Sequence, residues 1–105
     1  MLENTVEEHL VKSVEAHGGR CPKLVDIGRR GFPDRTVLWP FIEPNTSKEI
    51  HFIETKTIGG KVKPWQQRYH TDLRSMGFGV FVIWTKEQVD DYIEEHAPAK
   101  WKCNR

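Results

Sequence analysis

The stretch that decides the fold is Glu49-Ile50-His51-Phe52-Ile53-Glu54-Thr55-Lys56, an apolar run that ends in a charged triplet. The run predicts a strand. Because side chains alternate between the two faces of a strand, Glu54 and Lys56 lie on one face and Thr55 lies on the other. The predicted strand therefore ends with a carboxylate and an ammonium group on the same side.

A second acidic residue, Asp34 in Pro33-Asp34, precedes Glu54 by twenty residues. It opens Arg35–Phe41, a second predicted strand. If the two strands pair as a hairpin, the start of one lies beside the end of the other, and Asp34 lies near Glu54. Two carboxylates and Lys56 could then hold a divalent metal and position a water for phosphodiester hydrolysis. A turn aspartate and a solvated strand end remain the plain alternatives.

The composition limits the class of protein. A chain of 105 residues with 37% hydrophobic and 30% charged content fits one soluble globular domain over residues 1–105. No apolar run approaches the roughly 18 residues of a membrane span, and Met1–Asn4 lacks the features of a signal peptide. Two cysteines fit a reducing compartment and indicate neither a disulfide framework nor a zinc site. We therefore expect a cytoplasmic protein with no membrane partner.

The net charge of +1 conceals an uneven distribution. Residues 20–74 carry eleven Lys and Arg against six Asp and Glu, a balance of +5, whereas the flanking segments balance at −4. This basic excess surrounds Asp34 and Glu54, which suits a phosphate backbone as ligand. An ordinary mixed surface is the alternative interpretation.

The other elements follow from hydrophobic spacing. A helix over Leu2–His17 carries Val6, Leu10 and Val14 on one face and ends at Gly18-Gly19. The remaining predicted elements are a strand over Cys21–Ile27, a helix over Pro64–Met76, a strand over Phe78–Trp84 and a helix from the Thr85 cap to Glu95. Since a strand, a crossover helix and a strand imply a parallel pair, we expect an α/β fold. Its mixed four-stranded sheet would be flanked by helices in the order α-β-β-β-α-β-α.

Several charged residues outside the two strands are candidates for function. Glu7 borders the inward face of the first helix and needs a partner, either a metal ion or a Lys or Arg. Two arginines between Gly28 and Gly31 form a basic loop suited to phosphate contact, although a solvated turn would carry the same residues. A second basic loop, Ile58–Lys63, leads to Pro64. The predicted DNA contacts are Arg29, Arg30, Arg35, Lys61 and Lys63.

The ordered set of motifs resembles the virus-type replication-repair nuclease (VRR-NUC) domain of the PD-(D/E)xK nuclease superfamily. The resemblance covers roughly residues 3–84 and rests on Glu7, Gly31-Phe32-Pro33-Asp34-Arg35, Glu54-Thr55-Lys56, Gly59-Gly60-Lys61, Gln66, Leu73 and Gly77. It implies a restriction-endonuclease-like core and hydrolysis of DNA that depends on Mg²⁺ or Mn²⁺. Stand-alone members of this size are similar to Holliday junction resolvases that act as homodimers.

The resemblance also implies a set of metal ligands. Asp34 and Glu54 would bind the metal through their carboxylates, and the backbone carbonyl of Thr55 would be the third protein ligand. Glu7 would be an additional acidic ligand or would act through a metal-bound water. Oxygen ligands of this kind select hard cations such as Mg²⁺ or Mn²⁺.

The implied catalytic residues are Asp34 and Glu54 together with Lys56 and Gln66. Lys56 would orient or activate the attacking water and stabilise charge that develops on the phosphate. Gln66 matches the family's glutamine after the ExK strand and would support the site, with the adjacent Gln67 as the alternative.

The resulting hypothesis is a metal-dependent, structure-specific DNA endonuclease in the cytoplasm of a bacterium or a phage-infected host cell. Its leading substrate is branched DNA, with the four-way junction favoured. A C2 homodimer could place one site on each of two symmetry-related strands of a junction. The alternatives are a non-catalytic structure-specific DNA-binding module and a nuclease that cuts flaps or plain duplex.

Overall fold

The computed structural model describes the backbone of residues 2–40 and 50–98, with side chains from residue 5 onward. The elements of this part are α1 (Leu2–Ala16), β1 (Arg35–Leu38), β2 (Ile50–Thr55), α2 (Pro64–Ser75), β3 (Gly79–Ile83) and α3 (Lys86–His96). None of these described helices is long and apolar enough to cross a bilayer. The predicted strand ends at Phe41 and Glu49 lie outside the described residues, as does Cys103, the second cysteine.

The sheet is mixed, with β2 between β1 and β3. Strand β1 pairs with β2 antiparallel, so that Arg35 lies opposite Ile53. Strand β3 pairs with β2 parallel, so that Thr55 lies opposite Ile83. Helix α2 makes the crossover between the two parallel strands. The predicted hairpin, the predicted parallel pair and the α/β class are therefore confirmed.

The prediction of a strand over Cys21–Ile27 is wrong, and the described sheet has three strands instead of four. At the edge of β1, Arg20 forms one isolated bridge with Leu38, and the Thr36 N–H then donates to the Pro22 carbonyl at 3.0 Å. Proline has no N–H to return that bond, so the ladder ends there. The described order is α-β-β-α-β-α.

Apolar clusters cover both faces of the sheet. The larger one joins α1 and α3 to the sheet and includes Val6, Leu10, Val14, Val37, Ile53, Ile83, Val89 and Ile93. The smaller one lies between the sheet and α2 and contains Phe52, Leu73 and Val80. Because side chains alternate along β2, Ile53 faces α1 and α3, whereas Glu54 faces α2.

Helix α2 turns a partly polar stripe toward the sheet. It begins at Pro64, as predicted from the fixed backbone angle of proline. Its buried residues are His70 and Leu73, whereas Met76, the last residue of the predicted helix, is 63% exposed. The inward stripe is therefore Gln66, His70 and Leu73, spaced by four and three residues as neighbours on a helix surface are.

A buried histidine, His51, lies among aromatic rings on the α3 side of the sheet. Trp39 Nε1 donates to the Tyr92 hydroxyl at 3.0 Å, and that hydroxyl lies 2.7 Å from His51 Nδ1. Tyr92 can then donate its own proton to Nδ1, which keeps the imidazole neutral. Burial, and to a lesser degree the nearby His96, lowers the pKa of His51 to about 4.

Acid should destabilise the protein through His51. The unfolded chain takes up a proton at this residue below pH 6.5, whereas the folded protein resists protonation down to about pH 4, so stability is lost between those values. From pH 7.5 to pH 5 the free energy of unfolding should fall in wild type. We predict that this fall is about 2 kcal/mol smaller in His51→Phe. Urea denaturation at both pH values measures this difference.

The His51→Phe protein should be less stable than wild type at pH 7.5, because Phe cannot accept the hydrogen bond from Tyr92. The comparison therefore concerns the change with pH within each protein. Equal losses on acidification in both proteins would contradict a neutral buried imidazole.

Candidate active site

Asp34 ties the start of β1 to the end of β2. Its Oδ2 accepts hydrogen bonds from the backbone N–H and from the hydroxyl of Thr55, both at 3.0 Å. The pairing of Arg35 with Ile53, continued by one residue, sets Asp34 beside Glu54. The hairpin predicted from the sequence thus brings Asp34 to the end of the strand that carries Glu54.

Glu54 is a carboxylate almost fully removed from water, at 1% exposure. Burial raises its pKa, and the negative charge of Asp34 adds to that effect. His70 and Lys56 act in the opposite direction. A buried carboxylate of this kind requires hydrogen bonds or a compensating positive charge to remain ionised.

Gln66 links β2 to helix α2 through three hydrogen bonds. Its Nε2 donates to Glu54 Oε2 at 3.0 Å, while its Oε1 accepts from Lys56 Nζ at 3.0 Å and from the Lys63 backbone N–H at 2.8 Å. Lys56 Nζ also lies 3.7 Å from Glu54 Oε2. Gln67, the alternative left open by the sequence, is exposed. The structure therefore places Gln66 at the site.

His70 is the residue of this site that the sequence analysis missed. It is 2% exposed, and its Nε2 lies 3.6 Å from Glu54 Oε1. That distance exceeds a hydrogen bond, and neither atom has a hydrogen-bond partner among the described residues. The helical spacing of four residues from Gln66 could have placed His70 on the inward face.

The oxygen atoms at the end of β2 suit a hard divalent cation. Asp34 and Glu54 offer carboxylates, Thr55 offers a backbone carbonyl, and such ligands favour Mg²⁺ or Mn²⁺. Glu54 Oε1 is a buried carboxyl oxygen without a hydrogen-bond partner among the described residues, and a cation would satisfy it. Residues 2–40 and 50–98 contain no group of three or more His, Cys, Asp or Glu placed to hold a metal. Backbone oxygen and water would have to complete the coordination.

Glu7 is engaged with basic side chains. Its Oε2 accepts a hydrogen bond from Arg35 Nε at 2.7 Å and lies 3.6 Å from Lys23 Nζ. Arg35 also donates to the Cys21 carbonyl at 2.9 Å. Of the two kinds of partner considered for Glu7, the structure shows Lys and Arg. Metal binding by Glu7 and DNA contact by Arg35 stay predictions.

The other predicted DNA contacts lie on two loops beside the first turn of α2. Arg29 and Arg30 are exposed, and the Arg30 guanidinium carbon lies 3.6 Å from the centroid of a Trp65 ring. Lys61 and Lys63 are exposed on the loop that leads into the helix. Both basic loops therefore flank the turn that carries the site's glutamine.

Removal of the Gln66 amide should weaken cation binding. Without it, Lys56 can close the 3.7 Å gap to Glu54 and compete with a cation for that carboxylate. We predict that Gln66→Ala binds Mn²⁺ about 10- to 100-fold more weakly, the range typical for loss of a group that orients a metal ligand. Isothermal titration calorimetry measures the affinity.

Gln67→Ala is the matched control, because it deletes the same side chain from the exposed neighbouring position. It should bind Mn²⁺ as wild type does. If the two variants have the same affinity, Gln66 does not organise a cation site.

Comparisons with known proteins place the chain among nucleases. No protein-family model matches the sequence. It is 41% identical over 81 residues to "Putative nuclease p44" of Acyrthosiphon pisum secondary endosymbiont phage 1. The matched region covers 77% of this chain and 81% of the relative. A solved structure described as "VRR_NUC domain" superposes with a TM-score of 0.78 at 35% identity, covering 90% of this chain and 96% of the other.

Proposed function

Because this chain belongs to the VRR-NUC family, we propose that it is a metal-dependent DNA endonuclease with its active site at the end of β2. The observation that carries the proposal is the meeting of Asp34, Glu54 and Lys56 at one end of the sheet, where Gln66 is hydrogen-bonded to both Glu54 and Lys56. These are the groups that metal-assisted phosphodiester hydrolysis needs.

Each residue has a distinct part in the proposed reaction. Asp34, Glu54 and the Thr55 carbonyl would hold Mg²⁺ or Mn²⁺, which lowers the pKa of bound water and neutralises phosphate charge. Lys56 Nζ, positioned by Gln66, can donate to the attacking water or to a phosphate oxygen on which negative charge develops. Because Lys56 is partly buried, its charge is screened less than that of a surface lysine.

The proposed substrate is branched DNA, with the four-way junction favoured, and the proposed setting is the cytoplasm of a bacterium or a phage-infected cell. The whole chain, residues 1–105, would act as one nuclease domain. A domain of this size has little surface for reading a long sequence, which favours recognition of DNA shape and phosphates. The exposed basic loops beside α2 support phosphate contact.

A C2 homodimer is the proposed acting form, since it could present one site to each of two symmetry-related strands. Exposed apolar side chains of the loop before Gly28 support a contact surface, namely Leu24, Val25 and Ile27. Light scattering that returns a monomer on junction DNA would rule out this arrangement.

Loss of either metal-binding carboxylate should abolish DNA cleavage. We predict that Asp34→Asn and Glu54→Gln each reduce the cleavage rate by more than about 100-fold, because a direct ligand should matter more than a group that orients one. The assay incubates labelled junction, flap and duplex DNA with Mg²⁺ or Mn²⁺, and in parallel with a chelator. Glu15→Gln, at an exposed position of α1, is the matched control and should cleave normally.

Two outcomes of this assay would change the assignment. Undiminished cleavage by Glu54→Gln would show that the reaction occurs elsewhere. Tight binding of wild-type protein to junctions, without cutting in either metal, would favour the non-catalytic binding module.

A further inference from the structure

A basic and aromatic pocket of about 380 Å³ lies between helix α2 and the loop before Gly31. Its lining residues are Arg29, Arg30, Trp65, Arg68, Tyr69 and Asp72. Three guanidinium groups against one carboxylate make the pocket positive, and two aromatic rings give it flat apolar surface. The volume falls within the roughly 300–1,000 Å³ of pockets that enclose small molecules. A phosphate attached to a planar base fits this combination.

The loop that forms one wall is fastened to α2 at both ends. The Tyr69 hydroxyl donates to Asp26 Oδ2 at 2.5 Å, and Asp26 Oδ1 accepts from the Gly28 N–H at 3.1 Å. At the other end, Gly31 has a φ of +102°, and a Cβ there would lie 2.5 Å from the Trp65 carbonyl oxygen. Only glycine allows this close approach. The arginine wall is therefore organised without a ligand.

Arg30 and Trp65 together form a platform for a base. The Arg30 guanidinium carbon lies 3.6 Å from the ring centroid of Trp65. Unpaired bases stack on aromatic rings and on guanidinium planes alike. Arg29 and Arg68 add forked donors that match phosphate oxygens. A base that remains stacked and paired within a duplex cannot enter such a pocket, so the pocket selects an unpaired nucleotide.

The pocket is connected to the active site through both of its walls. Trp65 is the chain neighbour of Gln66, whose amide holds Lys56 and Glu54. In the other wall, Arg30 precedes Asp34 by four residues, a span of at most about 14 Å in an extended chain. Successive nucleotides of a stacked strand are about 3.4 Å apart. A strand bound at the active site would reach the pocket within a few nucleotides.

We infer that this pocket binds one unpaired nucleotide of the DNA strand that is cut. The inference rests on the proposed nuclease function. Among branched DNAs it favours those with an unpaired base close to the scissile phosphate, as at a flap or an opened branch point, over a fully paired four-way junction. A free mononucleotide carries the same base and phosphate, but it lacks the strand that continues to Asp34 and Glu54.

DNA binding in the presence of chelator, where no cleavage occurs, tests the pocket. Fluorescence anisotropy would compare a duplex that carries a short unpaired branch with the same DNA in which the branch nucleotide nearest the duplex is abasic. We expect wild type to bind the intact branch about 10-fold more tightly, the order of one base–aromatic stack. Arg30→Ala and Trp65→Leu should remove this preference.

The control is Arg20→Ala, which deletes an exposed arginine beside Leu38, at the end of β1 away from Asp34. It should keep the 10-fold preference. Circular dichroism melting checks that Trp65→Leu folds, and Arg30→Ala, at an exposed position of the same platform, takes its place in the comparison below if it does not. If the base occupies the pocket, the abasic substitution and Trp65→Leu together should weaken binding no more than either alone.

Three results would overturn the inference. The first is equal binding of the intact and abasic branches by wild type. The second is a loss of the preference for the intact branch in Arg20→Ala as large as that in Arg30→Ala. The third is a deoxynucleoside monophosphate that displaces the labelled DNA as effectively as unlabelled branched DNA does. The pocket would then bind a free nucleotide and not a DNA strand.

The inference and the nuclease proposal can fail separately. If wild type cleaves DNA in a metal-dependent way but binds the intact and abasic branches equally, the nuclease proposal stands and the pocket inference fails. If wild type prefers the intact branch but does not cleave DNA in Mg²⁺ or Mn²⁺, the pocket inference stands and the nuclease proposal fails.

Discussion

The burial of the Glu54 carboxyl group is the constraint on which this structure depends. An ionised carboxylate away from water costs several kcal/mol unless partners compensate it. Gln66 donates a hydrogen bond to Oε2 of this carboxylate, and the Lys56 ammonium group lies 3.7 Å from the same oxygen. His70 lies near Oε1 but beyond hydrogen-bond distance. Oε1 therefore has no donor in the described chain. A buried carboxyl oxygen without a donor lowers the stability of the protein on its own. Binding of a cation at this oxygen would remove that cost.

The sequence predicted the parts of this arrangement that follow from local geometry. Alternation along β2 puts Glu54 and Lys56 on one face, and antiparallel pairing with β1 brings Asp34 to the same end, as the structure shows. Both conclusions need only the period of a strand and the direction of its neighbour. Proline at the start of α2 likewise fixed the turn on which Gln66 lies.

Hydrophobicity alone misplaces the inward stripe of α2, because it favours Met76 over His70. In the structure His70 is buried beside Glu54 and Met76 is exposed, which the spacing of His70 from Gln66 indicates better than hydrophobicity does. The segment Cys21–Ile27 likewise predicted a strand, but Pro22 lacks the N–H that would continue the ladder. In both cases one polar group, present in His70 and missing in Pro22, decides against the predicted pattern.

The central claim is that acidic groups from two strands share one cation at the end of β2. A crystal structure of the wild-type protein grown with Mn²⁺, using anomalous scattering to locate the metal, tests it most directly. The account predicts one peak bound by carboxylate oxygens of Asp34 and Glu54 and by the Thr55 carbonyl. A peak at Glu7 alone, or Glu54 Oε1 closed onto His70 with no metal beside it, would contradict it.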